Sequence, residues 1–401
     1  MRLGRTIPPA AAPLALGDVV GALKGLVVGP REVERLRREI GEYFGVRHVC
    51  LVSSGTAGLA VILLALRSLS PRDEVVVPGY TCFSVAAAVH RSGLRLVGCD
   101  VDPRTLDFDP RQLRDAVGPN TLAVVATHLF GVPADVDGAR AICAAGGAYV
   151  VEDAAQAMGA VRGNRKLGTL GDVGLFSLGR GKNITCGSGG VVVTNSGPIG
   201  AALDRICRGL PEPGVARTLG LWLGLAAMAL FIRPSLYWLP ASLPFLGLGE
   251  TRYDPGFRVG RLSGVQAAAL RGWQRRLEAA NARRSAVVER LRRAAALDTP
   301  APAGTACTRL PVFVSGRDER DRVVAAVRTR GLGVTPMYPA TVAEIPGGPA
   351  AAGGPFPGSR ACVDRLLTVP THGRLSDRDI SRIAGLFERP AVRTAGVAVA
   401  R

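Results

Sequence analysis

The stretch LAVVATHLFGVPADVDGARAICAAGGAYVVEDAAQ, residues 122–156, holds the pattern that decides the fold. It opens on an unbroken apolar run (Leu122–Thr127), breaks at Gly131 and Pro133, and continues at helical spacing over Asp137–Ala145. A second apolar run follows at Tyr149–Glu152. Short continuous apolar runs suit strands buried on both faces, and strands alternating with helices imply a parallel sheet. The same rhythm extends in both directions. Upstream runs lie at His48–Val52, Glu74–Pro78 and Leu94–Asp100, with helices expected over Thr56–Arg67, Ser84–Arg91 and Arg111–Val117. Downstream runs lie at Gly174–Ser177 and Gly190–Thr194. The fold class is α/β, a mostly parallel sheet flanked by helices, and its chemistry is expected in the loops beyond the carboxyl ends of the strands.

With 401 residues, 47% of them hydrophobic and 20% charged, the chain can bury a large core, which excludes disordered, fibrous and small secreted classes. The net charge is +18. Of the 50 basic residues only Lys24, Lys166 and Lys182 are lysines; the arginines are scattered, and no basic run is interleaved with aromatics. This is a compositional bias toward Arg, so no nucleic-acid partner is expected; a basic surface also suits phosphate-bearing small substrates. The eight cysteines contain no C-x-x-C and the four histidines no ligand spacing, so no metal is expected and the cysteines read as buried reduced thiols. The N-terminus reads as mature sequence and not as a signal peptide, and the expected location is cytoplasmic.

Four segments are expected: a large α/β domain over 1–210, a hydrophobic insertion or connector over 211–255, a linking helix and smaller α/β domain over 256–389, and a frayed tail over 390–401. The small domain should hold strands at Leu310–Val314 and Val334–Tyr338 and helices at Arg317–Arg330 and Ser376–Phe387. In the insertion, Leu219–Ile232 is uncharged and bounded by Arg217 and Arg233. Crossing a bilayer takes about 20 apolar residues, so this run does not span. Two readings stand: a core- or oligomer-facing insertion, or an interfacial element over 219–249 docking at the inner face of a membrane.

Four loops carry reactive residue types. Ser53-Ser54-Gly55-Thr56 opens a helix directly after a strand, which suits a phosphate at the helix N-terminus and equally an ordinary N-cap. Glu152-Asp153-Ala154-Ala155-Gln156 ends a buried strand on two acids. Such acids need a cationic partner, for which a protonated heterocyclic nitrogen serves, with Gln156 reaching an adjacent oxygen; alternatively Asp153 caps the next helix. Phe176-Ser177-Leu178-Gly179-Arg180-Gly181-Lys182-Asn183 contains one of the three lysines. In a chain that uses Arg wherever either serves, this lysine implies that an amine is required, and only Lys can form a Schiff base. Gly187–Gly190 lacks both the dinucleotide and the P-loop spacing, and its glycines read as letting backbone pass close to the lysine loop. His128 reads as a satisfied loop histidine.

Phosphate cradle, acid plus glutamine, serine and lysine in this order match one cofactor, pyridoxal 5′-phosphate. From Val49 to Phe387 the chain resembles the DegT/DnrJ/EryC1/StrS family of sugar aminotransferases, of aminotransferase fold type I. The segments carrying the resemblance are SSGTAGLAVILLAL, DEVVVPGYTCFSVAAAV, GCDVDPRTLDFDP, THLFGVPADVD, VVEDAAQAMGA, GDVGLFSLGRGKN, GSGGVVVTN, VTPMYP and LLTVPTHGRLSDRDI. The resemblance implies that Lys182 is catalytic and holds the cofactor covalently, that Asp153 pairs with the pyridine nitrogen, and that Gln156 lies against the ring. It implies that Gly55, Thr56 and Ser177 hold the phosphate with Ser54 close by, and that Tyr338 borders the substrate. It further implies a homodimer acting on a nucleotide-linked keto sugar, with glutamate or glutamine as amino donor. Two positions depart from the family: Cys82, followed by Phe83, stands where many members stack an aromatic ring, and Val259-Gly260-Arg261 replaces an Asn-x-Arg segment that reaches the neighbouring subunit. Two other readings remain: a non-catalytic cofactor-binding regulator or scaffold of the same fold, and a membrane-surface partner in polysaccharide assembly.

Overall fold

The computed structural model describes residues 4–387, so the tail expected over 390–401 lies outside the described residues. Seven strands form the main sheet: β1 His48–Val52, β2 Glu74–Pro78, β3 Arg95–Cys99, β4 Thr121–Thr127, β5 Tyr149–Asp153, β6 Val173–Ser177 and β7 Gly190–Thr194. Their spatial order is β1-β7-β6-β5-β4-β2-β3, parallel throughout except β7, which runs against both neighbours. The expected mostly parallel sheet is thus present, and each apolar run is a strand within a residue or two of its expected bounds. Because β7 is reversed, its first residue, Gly190, sits opposite both Val52 and Ser177 at the carboxyl edge of the sheet.

Helices cover both faces: α1 Leu16–Ala22, α2 Gly29–Phe44, α3 Gly55–Arg67, α4 Phe83–Arg91, α5 Pro110–Ala116, α6 Val136–Gly146, α7 Gly197–Gly209, α8 Val215–Phe231, α9 Gly264–Ala269 and α10 Trp273–Ala294. Most of α3 is buried, as expected of a helix uncharged up to its terminal Arg67 and pressed between the sheet and α4. The long helix expected over 256–295 is two helices. Gly272, at φ +66°, breaks it in a conformation that side chains disfavour. α10 then joins two apolar clusters: Trp273 and Leu277 belong to a face of the main sheet, Val287, Val288 and Leu291 to a second core. That second core lies on a two-stranded antiparallel sheet, β8 Arg309–Phe313 with β9 Leu366–Pro370, with helices α11 Arg317–Arg330, α12 Pro357–Arg365 and α13 Asp377–Ala384 around it.

Two expectations need correction. Val334–Tyr338 is not a strand: only Thr335 pairs, exchanging backbone hydrogen bonds with Thr368, because Pro336 has no N–H to continue the ladder. The cysteines are not all reduced. Cys50 on β1 and Cys207 on α7 form a disulfide, while Cys82, Cys99, Cys143, Cys186, Cys307 and Cys362 are free. Residues 157 positions apart gave no sequence signal of proximity; the pairing follows from α7 packing back on β1. We expect the denatured, unreduced protein to titrate for six thiols and the reduced protein for eight; eight before reduction would contradict the bond.

Candidate active site

Three backbones meet at the carboxyl edge of the sheet, where β1 and β6 end and β7 begins. Ser54 is the N-cap of α3, accepting from the Ala57 N–H at 3.0 Å. A Cβ on Gly55 would lie 2.9 Å from Ser177 Cβ, and one on Gly190 would lie 2.3 Å from the Ser54 carbonyl oxygen. Only glycine fits at either position, and the close approach sets the first turn of α3, with Thr56, beside the Ser177 hydroxyl. Free N–H groups and the positive end of the helix dipole at that turn favour an anion.

The lysine loop leaves β6 at Ser177 and turns at once. The Lys182 N–H reaches the Gly179 carbonyl at 3.4 Å, and Leu178 donates to Gly189 O at 2.8 Å, so the glycine-rich loop does pass close by. Beside Gly179 lie both Ser177 Oγ and the Lys182 side chain. The half-buried Lys182 has no side-chain hydrogen bond or ion pair among the described residues. Its peptide is held from behind by a residue the sequence reading missed. Arg284, on α10 and 2% exposed, donates at 3.0 Å from Nη2 to Lys182 O and from Nη1 to Asn183 O and Asn281 Oδ1. Asn281 in turn donates from Nδ2 to Met158 O at 2.9 Å and accepts at Oδ1 from Asn183 Nδ2 at 3.1 Å. Burial pulls the Arg284 guanidinium down to about 10, so it remains charged at neutral pH. A signal was available: Leu277, Asn281, Arg284, Val288 and Leu291 recur on one helical face, and two polar members of an apolar stripe ask for a partner.

The two acids of β5 take opposite sides of the sheet. Glu152 is fully buried and met by four donors: His128 Nε2 (2.8 Å) and Gly168 N (2.5 Å) at Oε1, Leu170 N (2.6 Å) and Gly171 N (3.0 Å) at Oε2. Burial pushes its carboxyl up, but the bonds from His128 and the backbone outweigh this and hold it below the usual carboxylate range. Because His128 Nδ1 accepts from Ala134 N at 2.9 Å, the ring carries its proton on Nε2 and both nitrogens are engaged. Asp153 has no such company. It accepts only from Ala155 N at 3.0 Å, and burial raises its carboxyl, opposed by that bond and by the charge of Lys182. It does not cap a helix.

Gln156 sits between Phe130 and Tyr338, accepting from Phe130 N at 2.9 Å and donating to the Tyr338 hydroxyl at 3.3 Å. Tyr338 is buried against Tyr80, ring centroids 5.3 Å apart, and burial raises its phenol. The structure therefore joins Ser54, Gly55, Thr56, Ser177 and Lys182 along one edge and Asp153, Gln156 and Tyr338 along the other, linked by the electrostatic contact of Asp153 with Lys182. Cys82 is the N-cap residue of α4, its Sγ 3.0 Å from Ser84 Oγ. Arg261 is engaged by its own chain, at Glu212 (2.6 Å), Cys207 O (3.2 Å) and Arg208 O (2.5 Å). Among the described residues no cluster of His, Cys, Asp and Glu forms a metal site.

A sequence profile of the DegT/DnrJ/EryC1/StrS aminotransferase family matches residues 17–388. The chain belongs to this family. A UDP-N-acetyl-3-dehydro-alpha-D-glucosamine 3-aminotransferase from Acidithiobacillus ferrooxidans is 31% identical over 365 residues, 88% of this chain and 87% of that one. An L-glutamine:2-deoxy-scyllo-inosose aminotransferase from Streptoalloteichus tenebrarius is 38% identical over 199 residues, 48% of this chain. As with several other curated relatives, the match spans about half of that protein's length (46%). A crystal structure of a DegT/DnrJ/EryC1/StrS aminotransferase from Brucella abortus superposes with a TM-score of 0.72 at 27% identity, covering 92% of this chain and 94% of that one. 

Arg284→Ala would leave the oxygens of Lys182, Asn183 and Asn281 without their shared donor. We expect a loss of about 3 kcal/mol in urea unfolding; a loss under about 0.5 kcal/mol, the scale of an ordinary surface substitution, would refute the clamp.

Proposed function

We propose that the protein is a pyridoxal-phosphate-dependent aminotransferase that moves an amino group from glutamate or glutamine to the keto group of a nucleotide-linked sugar. The observation that carries this reading is an amine, Lys182, unpaired and set between Ser177 and a buried Asp153, in a chain with only three lysines. The residues fit the cofactor: the Gly55–Ser177 approach, too close for a Cβ, makes an anion cradle at a helix N-terminus, and the raised Asp153 has no cation bonded to it among the described residues. Ser54, Gly55, Thr56 and Ser177 would hold the phosphate, Lys182 would bind covalently, Asp153 would keep a proton on the ring nitrogen, and Gln156 would lie against the ring. When bound, the cofactor supplies an electron sink for the donor's α-carbon. Lys182 Nζ would act as the acid and base of the proton shift that moves the α-proton off the donor's carbon, and Arg284 would keep that amine in place by fixing its peptide. The named relatives act on a UDP-linked 3-dehydro sugar and on 2-deoxy-scyllo-inosose. Both names describe a keto group on a polyol ring, which supports a substrate of this class.

We expect wild-type protein given pyridoxal phosphate to develop a visible absorption band and, on glutamate addition, to convert to the pyridoxamine form. Borohydride should fix the label to the peptide containing Lys182, and Lys182→Ala should do none of this while remaining folded. A band without conversion would favour the regulator reading; no band at all would end the assignment.

A separate observation favours attachment of this enzyme to an anionic membrane surface. α8 buries only Leu225 and Ala229 and packs on α1, with Trp222 Nε1 donating to Val19 O at 2.9 Å. The outward side of the pair is apolar: Val215 is 77% exposed, Leu223 59% and Val20 66%, and Leu219 and Leu230 join them, with Val27 exposed just beyond α1. Exposed cations Lys24, Arg217 and Arg233 flank it. No acid occurs between Pro213 and Gly249, and Asp18 of α1 is paired with Arg276 at 2.5 Å. A second copy would set this cationic rim against itself, whereas acidic headgroups complement it. No helix among the described residues is long and apolar enough to cross a membrane. Flotation should recover wild type with phosphatidylglycerol vesicles but not with phosphatidylcholine alone, and Leu219→Glu/Leu223→Glu should abolish recovery. A double variant that instead changes only the oligomeric mass would assign the face to a second copy of the chain.

A further inference from the structure

Thr127 is the last residue of β4, 9% exposed, and its hydroxyl has no hydrogen-bond partner among the described residues. The other described side chains with a buried unpartnered atom, Asn183 and four arginines, are each bonded through a second polar group. Thr127 alone among them makes no side-chain hydrogen bond. A buried hydroxyl without a partner is destabilising, and valine would fill the same space without that cost.

The sheet register places this hydroxyl. Thr127 pairs with Asp153, the last residue of β5, and Asp153 pairs on its other side with Leu175 of β6. Side chains alternate along each strand, and register partners in a parallel sheet point to the same side. Val125, Val151 and Leu175 belong to one apolar cluster, together with Tyr80, Phe130 and Tyr338. Val124, Ala126 and Val150 belong to the cluster on the opposite side. Thr127 and Asp153, two residues on from Val125 and Val151, therefore share the side that carries the tyrosines. Neighbouring strands lie about 4.8 Å apart, so the two side chains are adjacent. Of the two cross-strand neighbours of Asp153, leucine has no donor and threonine has one that is unused. Asp153 has acceptor capacity to spare, since its carboxyl accepts only from Ala155 N at 3.0 Å. Threonine reaches a neighbour by moving between staggered χ1 wells, which exchange its methyl and hydroxyl.

We propose that Thr127 is a positioning residue for Asp153, its hydroxyl donating to the Asp153 carboxylate when that carboxylate meets a protonated ring nitrogen. This role rests on the pyridoxal-phosphate reading and adds to it the residue that sets the state of the acid. A hydrogen bond to the charged form of an acid favours that form, which works against the burial that raises the Asp153 carboxyl. An ionised Asp153 can hold a proton on the ring nitrogen, whereas a neutral one cannot. Thr127 itself touches neither ring nor substrate; it acts through Asp153.

The test is calorimetric titration with pyridoxamine 5′-phosphate, which carries the ring and the phosphate but forms no covalent bond to Lys182. Thr127→Val, which swaps hydroxyl for methyl at nearly constant shape, should weaken binding at least about tenfold, the scale of a hydrogen bond to a charged group. Thr127→Ser keeps the hydroxyl and should recover most of that loss. In an Asp153→Ala background Thr127→Val should cost less than about twofold, as for groups that do not interact. Without ligand, the urea midpoint of Thr127→Val should equal or exceed that of wild type, because the deleted hydroxyl bonds nothing. Thr127→Ala repeats the titration should the valine variant not fold. Equal affinity of wild type and Thr127→Val would overturn the proposal, whatever the urea midpoint does. So would a tenfold loss that persists in the Asp153→Ala background, which would assign the hydroxyl to another partner. A wild type that takes up no pyridoxamine 5′-phosphate would end the aminotransferase reading itself, and with it this role.

Discussion

A carboxylate inside a sheet is tolerated only when its lone pairs are all met, and Glu152 meets them with one imidazole and three backbone N–H groups. Those donors come from the loop after β4 and from residues 168–171 ahead of β6, so one side chain ties together the strands on either side of β5. Side chains alternate along a strand, and the residue after Glu152 must face the other way, into the site. The burial of Asp153 with a single backbone donor is thus a consequence of how fully its neighbour is satisfied. A fully bonded acid and a sparsely bonded one adjoin on opposite sides of the strand.

The strands were legible because each is buried on both faces and reads as a continuous apolar run, and because the breaks between them carry Gly and Pro. The carboxyl-edge residues followed, since a parallel sheet puts its loops at one edge. What could not be read was whatever depends on chain segments distant in sequence. The Cys50–Cys207 bond requires knowing that α7 returns to β1. The failure at Val334–Tyr338 is of a different kind: the apolar pattern was right for burial, but Pro336 removes the donor a ladder needs, and the segment serves to deliver Thr335 to Arg309 and Tyr338 to Gln156.

The arginine bias that hid Arg284 and Arg309 in the sequence is also what made Lys182 visible. In a chain with 50 basic residues a further arginine carries little information, and neither buried arginine stood out. Their environments separate them. Arg284 faces oxygens that belong to the chain itself and fixes the lysine loop. Arg309 donates to Thr335 Oγ1 and Thr368 O and pins the 334–338 segment to β9. The acceptors each one meets, and not burial or charge, separate the two arginines, since Nε of both is buried without a partner.

The insertion is also tied to the rest of the chain. Its helix α8 turns an apolar side outward, while the turn that follows carries Pro234, whose carbonyl accepts from Thr6 N at 2.8 Å, and Tyr237, whose phenol burial raises. One continuous segment therefore presents the apolar surface and holds the backbone of the N-terminal segment at Thr6. Anything that holds α8, whether lipid or protein, also constrains the placement of Tyr237. A greasy surface helix and a buried phenol would be unrelated curiosities if they lay far apart in the chain. Separated by only a few residues across Arg233, they are coupled through the chain itself.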